Sequence, residues 1–542
     1  MPTSRDRIGA EAWAFARFIA GLPRFLRQRM SYEEARGILR QRLRERETNF
    51  LGSIERGVFG NPRSPYRTML DLARCEFGDL VRSVRDHGIE ESLRALRQSG
   101  VYVTFEEFKG RKPIVRGGRT IEVEAGDFDN PRFSEYFAVS TSGSSGAPRR
   151  VLMDLTSMSA RLPIKVLAAH YHELVGTHWI RWADIPPGIG LTACLTDWVC
   201  GTPAERWFTA VWGGGDGTSR RFRAATTASL AVARFSGARL PWPEYLPLDR
   251  AVEIARLAEA LLRRHGRCQI RASVSRLLRV GLASQHEGID LTGAVLHGGG
   301  EPPSPAKVAG ITSTGGRFLS SYHFVEAGAI GHGCTTSDDP NDQHFLKDHL
   351  AMIQTPRTVP GFEIEVPALS FTTLLPTATK MLLNVESDDY AVVDTRSCGC
   401  PWGELGLTDH ISDIRSFGKL TGEGVTLVGS DMERILEEIL PARFGGSPLD
   451  YQLVEEEDQG GFTRLILRVS PSIHLPDEGA PAELVFQALH ADGAGGDNCV
   501  SNWKQAGTIA IRREAPRPTA RGKLLPLQLL NPARRATTGS ER

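Results

Sequence analysis

The sequence predicts an α/β protein in two parts, a large multi-subdomain N-terminal domain over residues 1–415 and a small, mobile α+β C-terminal domain over residues 416–542. Three observations carry this reading. Short apolar runs such as Ala294-Val295-Leu296 and Phe318-Leu319 sit beside Gly-rich or polar turns and alternate with helical periods. From about Phe362 to Val393 the pattern becomes β-rich, and after Arg415 a separate set of helix and strand signals fits a unit of about 120 residues.

Taken in order, residues 1–125 read as largely helical. Ser31 and Glu34 have capping-box spacing, and Ala35, Ile38, Leu39 and Leu43 follow at helical intervals. Residues 126–335 read as an α/β core, with a helix from Val252 capped by Asp249 and ended by Gly266. Residues 336–415 read as a mostly antiparallel layer, with Phe362–Val366 and Met381-Leu382-Leu383 as strands. In the last part Met432–Leu440 and Ala482–Leu489 are helical by period, Thr463–Val469 and Thr508–Ile511 are strands, and 491–497 reads as a loop.

Composition excludes several classes. With 542 residues, 41% hydrophobic and 24% charged, the chain can bury large cores and is not mainly disordered. Lys plus Arg number 65 against 64 Asp plus Glu, so no electrostatic footprint for nucleic acid or an anionic membrane exists. No apolar window is long enough to span a bilayer, and Arg5, Asp6, Arg7 and Glu11 at the N-terminus do not resemble a leader, which predicts a cytoplasmic protein. Eight cysteines are too sparse for a disulfide scaffold.

The most informative segment is Ser140-Thr141-Ser142-Gly143-Ser144-Ser145-Gly146-Ala147-Pro148-Arg149-Arg150. Its hydroxyls and backbone N–H groups can close around phosphate oxygens while Arg149 and Arg150 add charge. No Gly-Lys-Ser/Thr ends it, so it is not the P-loop of nucleotide hydrolases. Thr141–Arg149 resembles the phosphate-binding signature of the adenylate-forming superfamily, with Arg149 where that family usually has Lys. Gly298-Gly299-Gly300-Glu301-Pro302 resembles the family's turn beside adenine, Tyr322-His323-Phe324-Val325-Glu326 its Tyr-Gly-x-Thr/Ser-Glu motif, and Pro518–Lys523 the motif of its catalytic lysine. Asp127-Phe128-Asp129-Asn130-Pro131, His344-Phe345 with Asp348-His349, and Cys398-Gly399-Cys400-Pro401 are similar to the phenylacetate–CoA ligase-like branch.

The resemblance implies an AMP-forming acid–thiol ligase using ATP, Mg²⁺ and CoA. A carboxylate, poor as an electrophile, attacks the α-phosphate of ATP, and placed cations stabilise the developing charge. By resemblance Glu326 holds Mg²⁺, Tyr322 stacks on adenine, and Lys523 bridges the carboxylate and the α-phosphate. Ser142, Gly143, Ser144, Ser145 and Gly146 cradle phosphate, and Gly299, Gly300, Glu301 and Pro302 flank adenine. The ribose acid falls within Asn384–Tyr390, where two adjacent acids leave the register ambiguous and Asp388 is chosen. Ile414-Arg415 with Gly424-Val425 matches the family's hinge and implies an Arg415 contact to ribose or phosphate. Phe417 stands where the hinge Asp belongs and Glu423 replaces a common Arg, departures that bear on the second half-reaction.

The acid, aromatic or related by resemblance, is expected between Gly298 and Glu326, with Trp207, Phe208, Trp212, Ser320 and His323 as pocket candidates. The acceptor stays open between CoA, a carrier-protein thiol and an amine. A nucleotide-binding partner protein without turnover is the reading from another class. Oligomeric state is also open, a dimer included. Cys334, His344, Cys398 and Cys400 would suit tetrahedral zinc, with His332 or His349 as substitutes for His344 and buried unliganded thiols as the competing reading.

Overall fold

A computed structural model describes residues 4–132, 137–141, 149–186, 188–212, 220–301, 303–324, 326–358, 365–416, 419–422, 425–428, 432, 434–491, 494–517 and 527–528. No helix among them is long and apolar enough to cross a membrane. The chain opens on helices, including α1 (Ser4–Leu26) and α2 (Tyr32–Arg44), the latter with its capping box formed by Ser31 and Glu34. The hairpin of β1 (Phe137–Thr141) and β2 (Arg149–Met153) follows, then α3 (Leu162–Tyr171).

One twelve-stranded sheet dominates. Its parallel half contains β3 (His178–Trp182), β4 (Arg206–Thr209), β5 (Pro243–Tyr245), β6 (Cys268–Ser273), β7 (Ala294–Gly299) and β8 (Arg317–Phe324). Helices α4 (Val252–His265) and α5 (Val274–Glu287) make crossovers there, as parallel pairing requires. The antiparallel half contains β9 (Gly328–Gly333), β10 (Gln343–Phe345), β11 (Leu350–Thr358), β12 (Glu365–Thr373), β13 (Val385–Thr395) and β14 (Asp409–Ser416). The spatial order is β11-β12-β13-β14-β10-β9-β8-β7-β6-β3-β4-β5, so β8 is the seam between the halves.

The C-terminal unit pairs β15 (Tyr451–Glu457), β16 (Thr463–Val469), β17 (Ile509–Arg513) and β18 (Leu527–Gln528) in the order β17-β16-β15-β18, with α6 (Ala480–Ala491) and α7 (Ala494–Ala506). It has its own core of Leu436, Tyr451, Leu467, Phe486 and Trp503. α7 docks it on the N-terminal domain. Asn502 donates to Asp184 at 2.8 Å and accepts from Arg276 at 2.9 Å, while Gln505 accepts from the Leu248 amide and donates to the Ala210 carbonyl.

Several local expectations need correction. Gly266 does end α4 in a left-handed conformation (φ +72°), but Asp249 belongs to a short 3₁₀ turn and Ala251 occupies the cap. Met381–Leu383 is a buried connection between β12 and β13, because Leu382 and Leu383 spend their apolar surface on the core without joining a ladder. Residues 494–497, glycine-rich and expected as a loop, begin α7, whose docking contacts outweigh poor intrinsic propensity.

Candidate functional site

The sheet seam builds a cleft. Gly298, Gly300, Glu301, Pro303, Ser320, Ser321, Tyr322 and His323 line one side at the C-terminal ends of β7 and β8, where open α/β sheets bind ligands. Gln343, Asp389, Ile414 and Ser416 close it from the antiparallel half, around about 540 Å³ of space open to solvent. Two glycines are required by geometry: a Cβ at Gly299 would lie 2.8 Å from the Ser321 carbonyl, and Gly300 has φ +82°. The Glu301 carboxylate is buried beneath the turn, accepts from the Ser275 amide and hydroxyl, and pairs with Lys307 at 3.5 Å. Lys307 also donates to Thr463 of the C-terminal unit at 3.2 Å, so the turn is tied to both domains.

Across the cleft, Tyr322 Oη donates to one oxygen of Asp389 at 2.6 Å and Ser416 Oγ to the other at 2.7 Å. The carboxylate raises the Tyr322 pKa, after burial, so the phenol stays a donor. Asp389, not Asp388, therefore presents its carboxylate to the cleft. Asp388 sits at φ +57° between irregular pairings of β13, and that local twist sets which acid faces inward. Arg415 lies beside these groups on β14, opposite Tyr390, with its guanidinium 3.5 Å from Asp413.

Three pocket candidates lie elsewhere. Trp207 is buried with its indole N–H donating to the Ala183 carbonyl at 2.6 Å, Phe208 packs with Ile254 and Ile270, and Trp212 packs beside Phe222 and Leu230. β4 is covered on both faces, so adjacent aromatics both become core. Gly298, Ser320 and His323 do line the cleft. The His323 ring reaches solvent there, yet desolvation by the crowded wall, with the Lys165 and Arg161 charges, pulls it down to about 4.

Glu326 follows β8 and is ion-paired with Lys109, whose ammonium lies 5.0–5.4 Å from the ring centres of Phe105, Phe108 and Phe324. In this arrangement Lys109 is the partner of the carboxylate that the resemblance assigns to Mg²⁺. Thr141 and Arg149 are register partners at the base of the β1–β2 hairpin. Ser142, Gly143, Ser144, Ser145, Gly146, Pro302, Phe417, Glu423 and Lys523 lie outside the described residues.

A second constellation sits behind β9, where one donor atom each from Cys334, His344, Cys398 and Cys400 lies within 4.8 Å of the others. His344 Nδ1 is 2.6 Å from the Leu407 carbonyl, which leaves Nε2 facing Cys400 Sγ at 3.0 Å and Cys398 Sγ at 3.6 Å. A second-sphere carbonyl orienting the imidazole and three converging thiols fit tetrahedral zinc. His349 is turned to Asp348 and the Ala329 carbonyl, and His332 stacks toward His172, so neither replaces His344.

Sequence reading missed a polar layer under the cleft that includes His172, His297, Arg181, Arg271, Lys165 and Asp197; no motif spacing marks these scattered residues. Burial, then the Arg317 charge, pulls His172 down to about 3, and burial with Arg271 pulls His297 well below its ordinary 6.5. Both rings are neutral in the folded chain at pH 7, whereas the unfolded chain protonates near 6.5. The His172 contribution is thus complete above pH 6.5 and is lost as pH falls toward 3, and the His297 contribution has the same sign. For His172, going from pH 7 to 5 is expected to cost about 2 kcal/mol, and His297 acts in the same direction. The urea midpoint measured across that interval checks this, and a flat profile rejects it.

No family model matches the chain, and no curated protein matches it. Among solved structures it is similar to 2-hydroxyisobutyryl-CoA ligase in complex with 2-HIB-AMP and CoA in the thioesterification state, at 15% identity and TM-score 0.55, covering 95% of this chain and 93% of that one. An open conformation of that ligase gives 14% identity and TM-score 0.43, covering 89% and 92%. An amide bond synthetase from Marinactinospora thermotolerans gives 14% and 0.40, covering 92% and 94%. The first comparison shows the fold, which this chain shares with that ligase; the other two are too distant to add to it.

Proposed function

We propose that the protein activates an organic carboxylic acid with ATP, releasing pyrophosphate, and passes the acyl group from the acyl-adenylate to a thiol, that of CoA. The observation that carries this reading is the Asp389 carboxylate, gripped by two hydroxyls opposite the glycine turn 298–300 in a fold shared with an acyl-CoA ligase. A carboxylate lining a cleft is the acceptor that the paired hydroxyls of a ribose call for. Gly298 and Gly300 line the cleft without side chains, which leaves room for a planar base that Tyr322 would border from the next strand.

In the first half-reaction a carboxylate oxygen of the acid attacks the α-phosphorus, the bond to the bridging oxygen of the β-phosphate breaks, and pyrophosphate leaves with that electron pair. Residues Thr141–Arg149 would hold the phosphates, Arg415 the ribose side, and Lys523 the carboxylate and α-phosphate as charge shifts between them. In the second, a thiolate attacks the acyl carbonyl and AMP departs. No step is assigned to Glu326, which Lys109 holds.

Zinc at Cys334, His344, Cys398 and Cys400 would supply a cross-link. It would pin the loop after β9 and strand β10 to the loop before β14, so that Ser416 and Asp389 keep their place opposite β8.

The test is a panel of organic acids with ATP, with and without CoA, read by pyrophosphate release and by mass spectrometry of the products. Acid-dependent pyrophosphate with an acyl-CoA product is expected; tight ATP binding with no pyrophosphate from any acid rejects the reading, and acyl-adenylate that ignores CoA rejects that acceptor. Within it, Asp389→Ala is expected to raise the KM for ATP about 10- to 100-fold, the worth of hydrogen bonds to a charged acceptor. An unchanged KM removes Asp389 from the nucleotide.

A further inference from the structure

One side-chain layer below the cleft lies a cationic cluster that adenylation does not use. In parallel register Arg181 of β3 stands beside Arg271 of β6, and Arg271 beside His297 of β7. Ser273, Gly299 and Ser321 lie two residues further along β6, β7 and β8 and share that face, about 6–7 Å nearer the strand ends. The layers touch: His297 Nε2 is 3.2 Å from the hydroxyl of Ser321, which lines the cleft.

The charges in this layer do not cancel. Arg181 pairs directly with Asp197, while Lys165 of α3 and Arg271 approach the same carboxylate at 3.4 and 3.5 Å. Three cations share one anion whose side chain is only 1% exposed. The other titratable neighbours do not help. Burial raises the Cys194 and Cys200 thiols to about 12 and 11, and His297 and His323 are held neutral. Arg271 stacks on Trp179 at 3.6 Å, and its Nε, buried, has no hydrogen-bond partner among the described residues. Its guanidinium is drawn down to about 9 by desolvation, the signature of a charge short of counter-ions.

Surplus positive charge in a low-dielectric layer is costly unless an anion completes it. The layer is open on one side only in part. The Lys165 side chain keeps 33% exposure, and Lys165, Arg161 and Arg271 all act electrostatically on His323, whose ring faces the cleft.

We propose that this layer receives a second anionic group of the substrate, so that the acid carries, besides the carboxylate that is activated, a distal carboxylate or equivalent anion held by Lys165 and Arg271. This rests on the acid-activation reading above. A guanidinium aligned by an aromatic face and an ammonium at the open edge make a two-point clamp for such a group. An uncharged tail would leave both cations sharing the one Asp197 carboxylate with Arg181, so selectivity comes from rejection of the wrong acid as well as attraction of the right one.

The test compares acids matched in length and shape but differing in the second charge, glutarate against valerate and 1,4-benzenedicarboxylate against 4-methylbenzoate, by ATP-dependent pyrophosphate release from the full chain. The diacid of at least one pair is expected to have a kcat/KM about tenfold or more above its partner, mainly through KM. Arg271→Met is expected to erase that preference. Lys165→Met, at the exposed edge where folding is less at risk, is expected to weaken it in the same direction. Turnover of the uncharged acids equal to or above that of the diacids overturns the proposal and leaves acid activation standing. A diacid preference that survives both substitutions overturns the assignment to this layer. Pyrophosphate from no acid of either kind overturns the acid-activation reading and the proposal together.

Discussion

Replacing Lys523 with alanine is expected to lower acid-dependent pyrophosphate release by about 10²- to 10³-fold, the range seen when one charge-stabilising donor is removed from a transition state. Thermal unfolding is expected to stay where it was, because a lysine ammonium carries its charge on a long flexible stem and is seldom spent on a core. The loss belongs in kcat, since the ammonium matters most when negative charge moves onto the departing pyrophosphate. Lys523→Arg keeps the charge and is expected to recover part of the rate. Thiolysis of a supplied acyl-adenylate is expected to change far less, since that half-reaction releases AMP and no pyrophosphate. Unchanged pyrophosphate release in the alanine variant would reject the role.

Stripping zinc with a strong chelator, or replacing Cys400 with serine, is expected to destabilise the N-terminal domain by about 3–5 kcal/mol and to lower its Tm by roughly 10 °C. Cys400 is buried and also begins the short helix Pro401–Glu404, whereas Cys398 is half-buried, so Cys400→Ser should cost more than Cys398→Ser. Removing a ligand leaves three donors converging on nothing, in a cluster with Leu346, Trp402 and Leu407. Because the loop it pins leads into β14, nucleotide affinity should fall alongside stability through Ser416 and Asp389. The check is metal content by elemental analysis together with a melting curve; metal-free protein with an unaltered melt disposes of the site.

Particular residues show where sequence reasoning reached and where it stopped. Strand Thr463–Val469 was legible residue for residue, and the Ser31–Glu34 box and the Gly266 stop were legible too, because period, caps and left-handed glycine are local properties. The glycine turn at 298–300 was legible by its resemblance to a known motif, and the structure supplies the reason for its glycines, the close approach of Ser321 to Gly299 and the positive φ of Gly300. Asp388 and Asp389 could not be told apart. Neighbouring strand residues face opposite ways, and a one-residue irregularity inverts the choice. Trp207 and Phe208 misled for a related reason: an aromatic pair reads as a pocket until the sheet order shows that β4 is covered on both sides.

The sequence by itself determined the two-part α/β organisation, the turns, the caps and the order of the motifs, since each depends on residues within a few positions of one another. Only the tertiary structure decided which acid faces the cleft, that Glu326 is held by Lys109, that four ligands from three separate segments meet, and that Lys165, Arg181 and Arg271 crowd one aspartate. The reason is physical. Charges and ligands act through space over a few ångströms, and strand order in a twelve-stranded sheet, not distance along the chain, sets those separations.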